Sequence, residues 1–175
     1  MSRYHGRAAD TDRPVDRECW ACPTTTTAIT FTHVNVIAKH WRALSRFYQD
    51  ALGCVPVPPE RKLSGAWLEA ATGVPDAALE GEHLRLPGYG EAGPTLEIFS
   101  YKTNLERPTL AANRLGVGHI AFEVDDVHAA LEQVVAHGGH ALGQTHTAEV
   151  AGKDKLTVDY ATDPDGNIIE LQARA

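Results

Sequence analysis

Residues Leu115 to Gly139 read LGVGHIAFEVDDVHAALEQVVAHGG. Val117, His119, Ala121 and Glu123 alternate with Gly118, Ile120, Phe122 and Val124, which is the period of a strand. Either Asp125 or Asp126 can cap a helix, and Val127, Ala130, Leu131, Val134 and Val135 then recur at helical spacing. Gly138-Gly139 stops that helix. The unit is a strand running straight into a helix, with one histidine at the strand's head.

Working outward, the same unit occurs earlier in the chain. Ile29 to Ile37 (ITFTHVNVI) alternates as a strand, with Phe31, His33, Asn35 and Ile37 on one face. A helix follows from Trp41 to Leu52, with Leu44, Phe47, Tyr48, Ala51 and Leu52 as its apolar face, and Gly53 ends it. His119 follows His33 by 86 positions (119 − 33), and Gly139 follows Gly53 by the same 86 (139 − 53). Head histidine and terminal glycine recur in register, which points to a duplicated module. Two copies are too few for a solenoid, so two halves closing on one another are expected.

The remaining segments complete each half. Cys54 to Val57 reads as a short strand broken off by Pro56, Pro58 and Pro59. Gly65 to Thr72 suits a strand or a short helix, Glu82 to Leu86 alternates as a strand, and Pro87-Gly88-Tyr89-Gly90 is a turn. Thr95 to Tyr101 (TLEIFSY) is a strand with Thr95, Glu97, Phe99 and Tyr101 on one face. In the second half a strand begins at Ala141-Leu142, His146 to Lys155 reads as a polar loop, and Lys155 to Tyr160 is a strand. Asp163-Pro164-Asp165-Gly166-Asn167 is a turn, and Ile168 to Gln172 is the last strand, with Glu170 on the face of Ile168 and Gln172. Each half is βαβββ, so the class is α+β. The expected organisation is a mobile tail over 1–27, a first module over 28–101, a connector over 102–114 and a second module over 115–175.

Composition bounds the function. The chain has 175 residues, 43% apolar and 22% charged, which are ordinary globular values. A net charge of −7 argues against nucleic acid or an anionic membrane as partner, since both select basic patches. No apolar run is long enough to cross a bilayer, and Met1 to Arg17 lacks the apolar stretch of a signal peptide, so a cytoplasmic address is expected. Three cysteines do not make a disulfide framework; Cys19 and Cys22 supply half a zinc site at most, and no second pair completes it.

Four residues carry the chemistry. His33 and His119 head the first strands of the two modules, and Glu97 and Glu170 lie in the last strands. A strand histidine met singly is more often a hydrogen-bonded interior residue, and a strand glutamate a solvated one. A His/Glu pair at matching places in both copies is a different matter. Two imidazoles and two carboxylates on a common surface suit a divalent cation, and mixed nitrogen and oxygen donors do not choose among zinc, nickel, cobalt, iron and manganese.

The matching elements are Thr32-His33-Val34-Asn35-Val36 with the Phe47-Tyr48 helix and Leu52-Gly53; Leu96-Glu97-Ile98; Gly118-His119-Ile120-Ala121-Phe122; and Asp163-Pro164-Asp165-Gly166-Asn167 with Ile169-Glu170-Leu171. Together, over Ile29 to Gln172, they resemble the vicinal oxygen chelate superfamily. That family holds glyoxalase I, methylmalonyl-CoA epimerase, extradiol dioxygenases and bleomycin-resistance proteins. The resemblance implies paired modules in a cupped, roughly eight-stranded mixed sheet around a metal-centred cavity, and a homodimer. The His, Glu, His, Glu order is similar to that of glyoxalase I, whereas the epimerase carries Gln at the Glu97 place and the dioxygenases use three ligands. The chain departs from glyoxalase I in its tail and in Glu60 to Gly93, where no glutathione-binding set is legible.

The chemistry so implied is lactoylglutathione lyase-like: a proton is abstracted next to a carbonyl, and a divalent cation stabilises the enediolate. Glu170 is the expected base and Glu97 its partner, because a carboxylate can leave a metal and return while imidazole stays bound. His33 and His119 serve as ligands alone. Asn35, Glu123, Phe99 and Tyr101 share strand faces with them and are candidates for substrate contact; Lys153 and Lys155 are candidates for an anionic tail. An epimerase-like or related isomerase is the alternative enzyme, and a binding protein that sequesters a small molecule or antibiotic is the alternative of another class.

Overall fold

The computed structural model describes residues 28–108, 111–150 and 154–175. The tail with Cys19 and Cys22, and also Lys153, lie outside the described residues. All elements below fall within Phe31–Ala175, one compact unit. They are β1 (His33–Ile37), α1 (Trp41–Leu52), β2 (Val55–Ser64), α2 (Ala66–Thr72), β3 (Ala78–Arg85), β4 (Thr95–Tyr101), β5 (Ile120–Glu123), α3 (Val127–Ala136), β6 (His140–Ala141), β7 (His146–Val150), β8 (Asp154–Thr162) and β9 (Ile168–Arg174). No described helix is long and apolar enough to cross a membrane.

The α+β architecture follows from how each module pairs its ends. β1 lies parallel to β4, and β5 parallel to β9. A parallel pair cannot be closed by a tight turn, so helix and strands must intervene. The sheet orders are β1-β4-β3-β2 and β5-β9-β8-β6, with β7 also on β8. The strands therefore divide into two hydrogen-bonded sheets, of four and five strands, instead of joining in one.

One face of each sheet is covered by a helix. Trp41, Leu44, Ser45, Phe47 and Tyr48 of α1 are buried, at the spacing of a single helical stripe. Trp41, Leu44, Phe47 and Tyr48 join Leu84, Leu96, Ile98, Phe122, Val134, Ile169 and Leu171 in one core shared by both modules. Alternation sends Glu97, His83 and Glu170 to the opposite faces. α2, the segment open to two readings from sequence, is a helix; its Leu68 packs on Leu79 and Phe99 and covers one end of that opposite face in the first module.

Three local expectations are corrected. β2 runs through Pro56, Pro58 and Pro59, because it is an edge strand and slips register between Val57 and Arg61 instead of ending. His146 to Val150 is a strand, not a loop, since β8 is long enough to pair with it after Ala141 pairs with Ala161. From Ala141↔Ala161 to His146↔Val158 the register slips by two, as it does from Val57↔His83 to Arg61↔Gly81. The duplication extends to this irregularity. Third, the left-handed glycine ending α1 is Gly53 (φ 68°), but after α3 that conformation falls on Gly138 (φ 96°), one place before the glycine matched by sequence. Asp126, not Asp125, caps α3 by accepting from the His128 and Ala129 amides.

The two modules are tied by a buried turn. Asp163 is fully buried; its Oδ1 accepts from the amides of Asp165 (3.0 Å) and Asn167 (2.8 Å). Its Oδ2 accepts from the Asn167 side chain (2.6 Å) and from the hydroxyl of Tyr48 on α1 (3.0 Å). The Lys39 amide binds Asp165 (2.9 Å), and Arg107 donates to Asn167 (2.6 Å) and to the Asp165 carbonyl. Burial raises the Asp163 carboxyl above its ordinary range, against the pull of these hydrogen bonds, and burial raises the Tyr48 phenol well above its own.

Tyr48→Phe should therefore lower stability by about 1.5–3 kcal/mol, the range for a hydrogen bond to a charged group. Because the folded pKa of Asp163 lies above the unfolded one, its favourable contribution is complete below the unfolded value and is lost as pH rises through the folded value. The variant's deficit should accordingly shrink as pH falls through the Asp163 pKa, since a protonated carboxyl accepts more weakly; urea unfolding at several pH values measures this. Gly81→Ala is expected to cost about 1–3 kcal/mol or more by overpacking. Its Cβ would lie 2.0 Å from the Ile98 carbonyl and 2.8 Å from Phe99 Cα, so the β3–β4 pairing must part, visible as a lower melting temperature.

Candidate metal and proton-transfer site

The site is built by strand register. In the first module Asn35 pairs with Glu97, and Glu97 pairs with His83, so β1, β4 and β3 present one row across the open face. His33 stands two residues before Asn35 and thus on the same face. In the second module Ala121 pairs with Glu170 and Glu170 with Tyr160. His119 stands two residues before Ala121. The two rows are equivalent: histidine at the head, glutamate in the last strand, and an aromatic proton donor on the strand beyond.

The contacts differ in detail. Glu97 has both oxygens engaged: Oε1 with His83 Nε2 (3.1 Å), and Oε2 with His33 Nε2 (3.4 Å) and Asn35 Nδ2 (3.3 Å). Glu170 is held through one oxygen: Oε2 meets His119 Nε2 (2.8 Å) and the Tyr160 hydroxyl (3.1 Å). The carboxylates are sheltered, 12% and 13% exposed, whereas His33 and His119 are 44% and 38% exposed. The glutamates form the floor and the imidazoles the rim. Outer partners orient the first-module rings, with Thr32 Oγ1 3.2 Å from His33 Nδ1 and Thr95 Oγ1 3.4 Å from His83 Nδ1.

Electrostatics favour a neutral His83. Burial lowers its pKa, Arg61 and His33 push the same way, and Glu97 opposes them. Burial raises the Tyr160 phenol, helped by its hydrogen bond to Glu170, so it stays a donor at neutral pH.

The four expected ligands thus come together as two pairs. Among the described residues, no three His, Cys, Asp or Glu side chains gather into a metal-holding group. A cavity of about 370 Å³ lies between β1 and the strand start at Val117–Ile120. It takes in Asn35 and His119 but not the two carboxylates, so this hollow flanks the floor of the site. Glu123 is exposed and paired with Gln172, on the face of Glu170. Phe99 is buried, its ring edge-on to His83 at 5.9 Å, and Tyr101 packs with it under α2. Lys155 is odd-numbered on β8, like buried Asp159, and so faces away from Tyr160 and Glu170.

His83 and Tyr160 were not legible in the sequence. Each is the cross-strand neighbour of a glutamate, but at different separations, 14 and 10 residues (97 − 83, 170 − 160), because the two hairpin loops differ in length. Only hydrogen-bond register reveals their equivalence.

Comparison with known proteins agrees with this architecture. Residues 30–171 match the sequence model of the Glyoxalase/Bleomycin resistance protein/Dioxygenase superfamily. The chain is 27% identical over 140 residues to the uncharacterized protein YaeR of Escherichia coli strain K12, covering 79% of this chain and 92% of that protein. A crystal structure of a glyoxalase family protein from Bacillus cereus is similar with a TM-score of 0.65 at 17% identity, covering 87% of this chain and 97% of that one. A glyoxalase I mutant from Zea mays gives a TM-score of 0.54 at 21% identity, over 81% of this chain and 45% of that one. At these identities the solved structures speak to the fold. With the match spanning nearly all the described elements, the chain belongs to the glyoxalase/bleomycin resistance protein/dioxygenase superfamily.

Proposed function

We propose that this protein is a metal-dependent lyase or isomerase of glyoxalase type, moving a proton between carbons next to a carbonyl. The observation that carries the reading is the repeated contact of imidazole on carboxylate, His33 with Glu97 and His119 with Glu170, at equivalent places in the two modules. Superfamily membership supports it.

The donor chemistry fits a divalent cation. In each pair a ring nitrogen and a carboxylate oxygen face one another at 3.4 and 2.8 Å, sharing what a cation would share in place of a proton. His33, Glu97, His119 and Glu170 would hold it, and zinc, nickel or cobalt, with iron or manganese after them, match the set. When bound, the cation supplies Lewis acidity to the substrate's oxygens.

The side chains divide the work. Glu170 acts as base: its contacts fall on Oε2, and among the described residues Oε1 accepts no hydrogen bond, so Oε1 is open to take a proton. The C–H bond breaks toward that oxygen and its electron pair moves onto the neighbouring carbonyl oxygen; the same carboxyl then returns the proton to that carbonyl carbon, while the first carbon's hydroxyl becomes the new carbonyl and its proton passes to the new hydroxyl oxygen. Tyr160 fixes the carboxylate's orientation from the other side. Glu97, engaged at both oxygens, is the less mobile partner. A homodimer is part of the proposal, supported by β1 and β5, each paired on one side only among the described residues, and by exposed Leu105, Leu115 and Val117.

One observation favours a second reading, sequestration of a small molecule without chemistry: no three potential ligands gather among the described residues. Metal analysis of the purified protein, then assay with the hemithioacetal of methylglyoxal and glutathione under each metal, separates the two. Bound metal and metal-dependent turnover are expected. Glu170→Gln should leave melting temperature unchanged and reduce turnover by roughly 10²–10⁴, the range for loss of a general base. Wild-type turnover in that variant would remove Glu170 from the role, and metal-free protein with no rescue by added metal would leave sequestration.

A further inference from the structure

Arg85 lies on the open face of the first sheet, and among the described residues no ion pair holds it. It sits on β3 two residues from His83, so both project from the same side, opposite Thr95 on β4 and Val55 on β2. Its Nε is shielded from solvent and has no hydrogen-bond partner among the described residues, although the residue as a whole remains partly exposed. A guanidinium is always charged and carries five donors in a rigid fork, so a sheltered donor without an acceptor is an unmet interaction.

The sheet does not supply the missing anion. On that face β1 contributes His33, Asn35 and Ile37; β4 contributes Thr95, Glu97, Phe99 and Tyr101; β3 adds Leu79, Gly81, His83 and Arg85. Glu97 is the one carboxylate in these rows, and its two oxygens are occupied by His83, His33 and Asn35. Glu80 and Glu82 point the other way, to Lys62 and to Ser45. Arg61, paired with Gly81 on the edge strand and so on this same face, adds positive charge. A chain of net charge −7 thus keeps a cationic patch beside its candidate reaction centre.

We infer that Arg85 binds a carboxylate of the substrate, making this protein selective for small organic anions. The inference rests on the proposed function for placing the reacting carbon over Glu97 and Glu170. A flat fork matches the two coplanar oxygens of a carboxylate, and the size of a small organic anion suits a site one strand row from His83 and Glu97. Neighbouring rows on one strand face lie about 7 Å apart, two residues of rise, so a carboxylate at Arg85 stands only a few bonds from the row of His83 and Glu97. The anion-binding role expected of Lys155 passes to Arg85, since Lys155 faces away.

The test uses binding and turnover separately. Pyruvate, its neutral amide and inorganic phosphate are titrated against the metal-loaded protein by calorimetry. Pyruvate should bind about tenfold or more tightly than the amide, the factor for one charge-assisted contact. Arg85→Met should abolish that preference, and Arg85→Lys, which keeps charge but loses the fork, should retain only part of it. If Arg85→Met does not fold, Arg85→Lys decides: full retention of preference overturns the inference. Equal binding of pyruvate and amide, or a preference for phosphate over pyruvate, also overturns it. In turnover, methylglyoxal hemithioacetals of 3-mercaptopropionate and 2-mercaptoethanol are compared. Carboxylate preference in binding with no turnover of any adduct sinks the proposed reaction and leaves the anion site standing. Turnover of both adducts alike, unaffected in Arg85→Met, sinks the anion site and leaves the reaction.

Discussion

A parallel strand pair needs a long crossover, and that constraint shapes everything in this protein. To lie beside β1 in the same direction, β4 is reached through α1, β2, α2 and β3; β9 reaches β5 through α3, β6, β7 and β8. The crossover helix covers one face and leaves the other open. Parallel register then sets a histidine two residues ahead of the position opposite the glutamate, so that both project from the open face. A slip of one residue would send one partner into the core and the other to solvent. Fold and site are therefore fixed by one pairing decision, made twice.

The duplication is not symmetrical in its chemistry. Glu97 is gripped at both oxygens by two imidazoles and an amide, while Glu170 is held at one oxygen by His119 and Tyr160. Equivalent residues thus give one carboxylate engaged at both oxygens and one engaged at a single oxygen. The asymmetry also reaches the joint between modules. Tyr48 of α1 donates into the Asp163 turn, whereas the place of Tyr48 in α3, 86 residues on (48 + 86), is Val134, which donates nothing. The second module's turn is locked to the first module's helix, and the shared core closes around that lock.

Much of the candidate site, as a pattern of residues, was readable before the fold. The spacing of His33 and His119, and the alternation that puts Glu97 and Glu170 among outward residues, come from local periodicity, which a chain expresses in its own order. The boundaries of α1 and β4 were equally legible, since Gly53 and the TLEIFSY alternation are local signals. Illegible were β2 continuing through three prolines, β7 in a polar stretch, and His83 and Tyr160 in the site. Each depends on which strand lies alongside, and edge position or register is not encoded in the strand's own residues.

By itself, the sequence determined the duplicated βαβββ plan and the four His and Glu residues, because period and repeat are properties of neighbours along the chain. Tertiary structure alone decided that these four form two pairs, that His83 and Tyr160 complete them, that Lys155 turns away and that Arg85 turns in. Those outcomes depend on cross-strand register and on which faces the helices cover, and both are set by residues far apart in the chain.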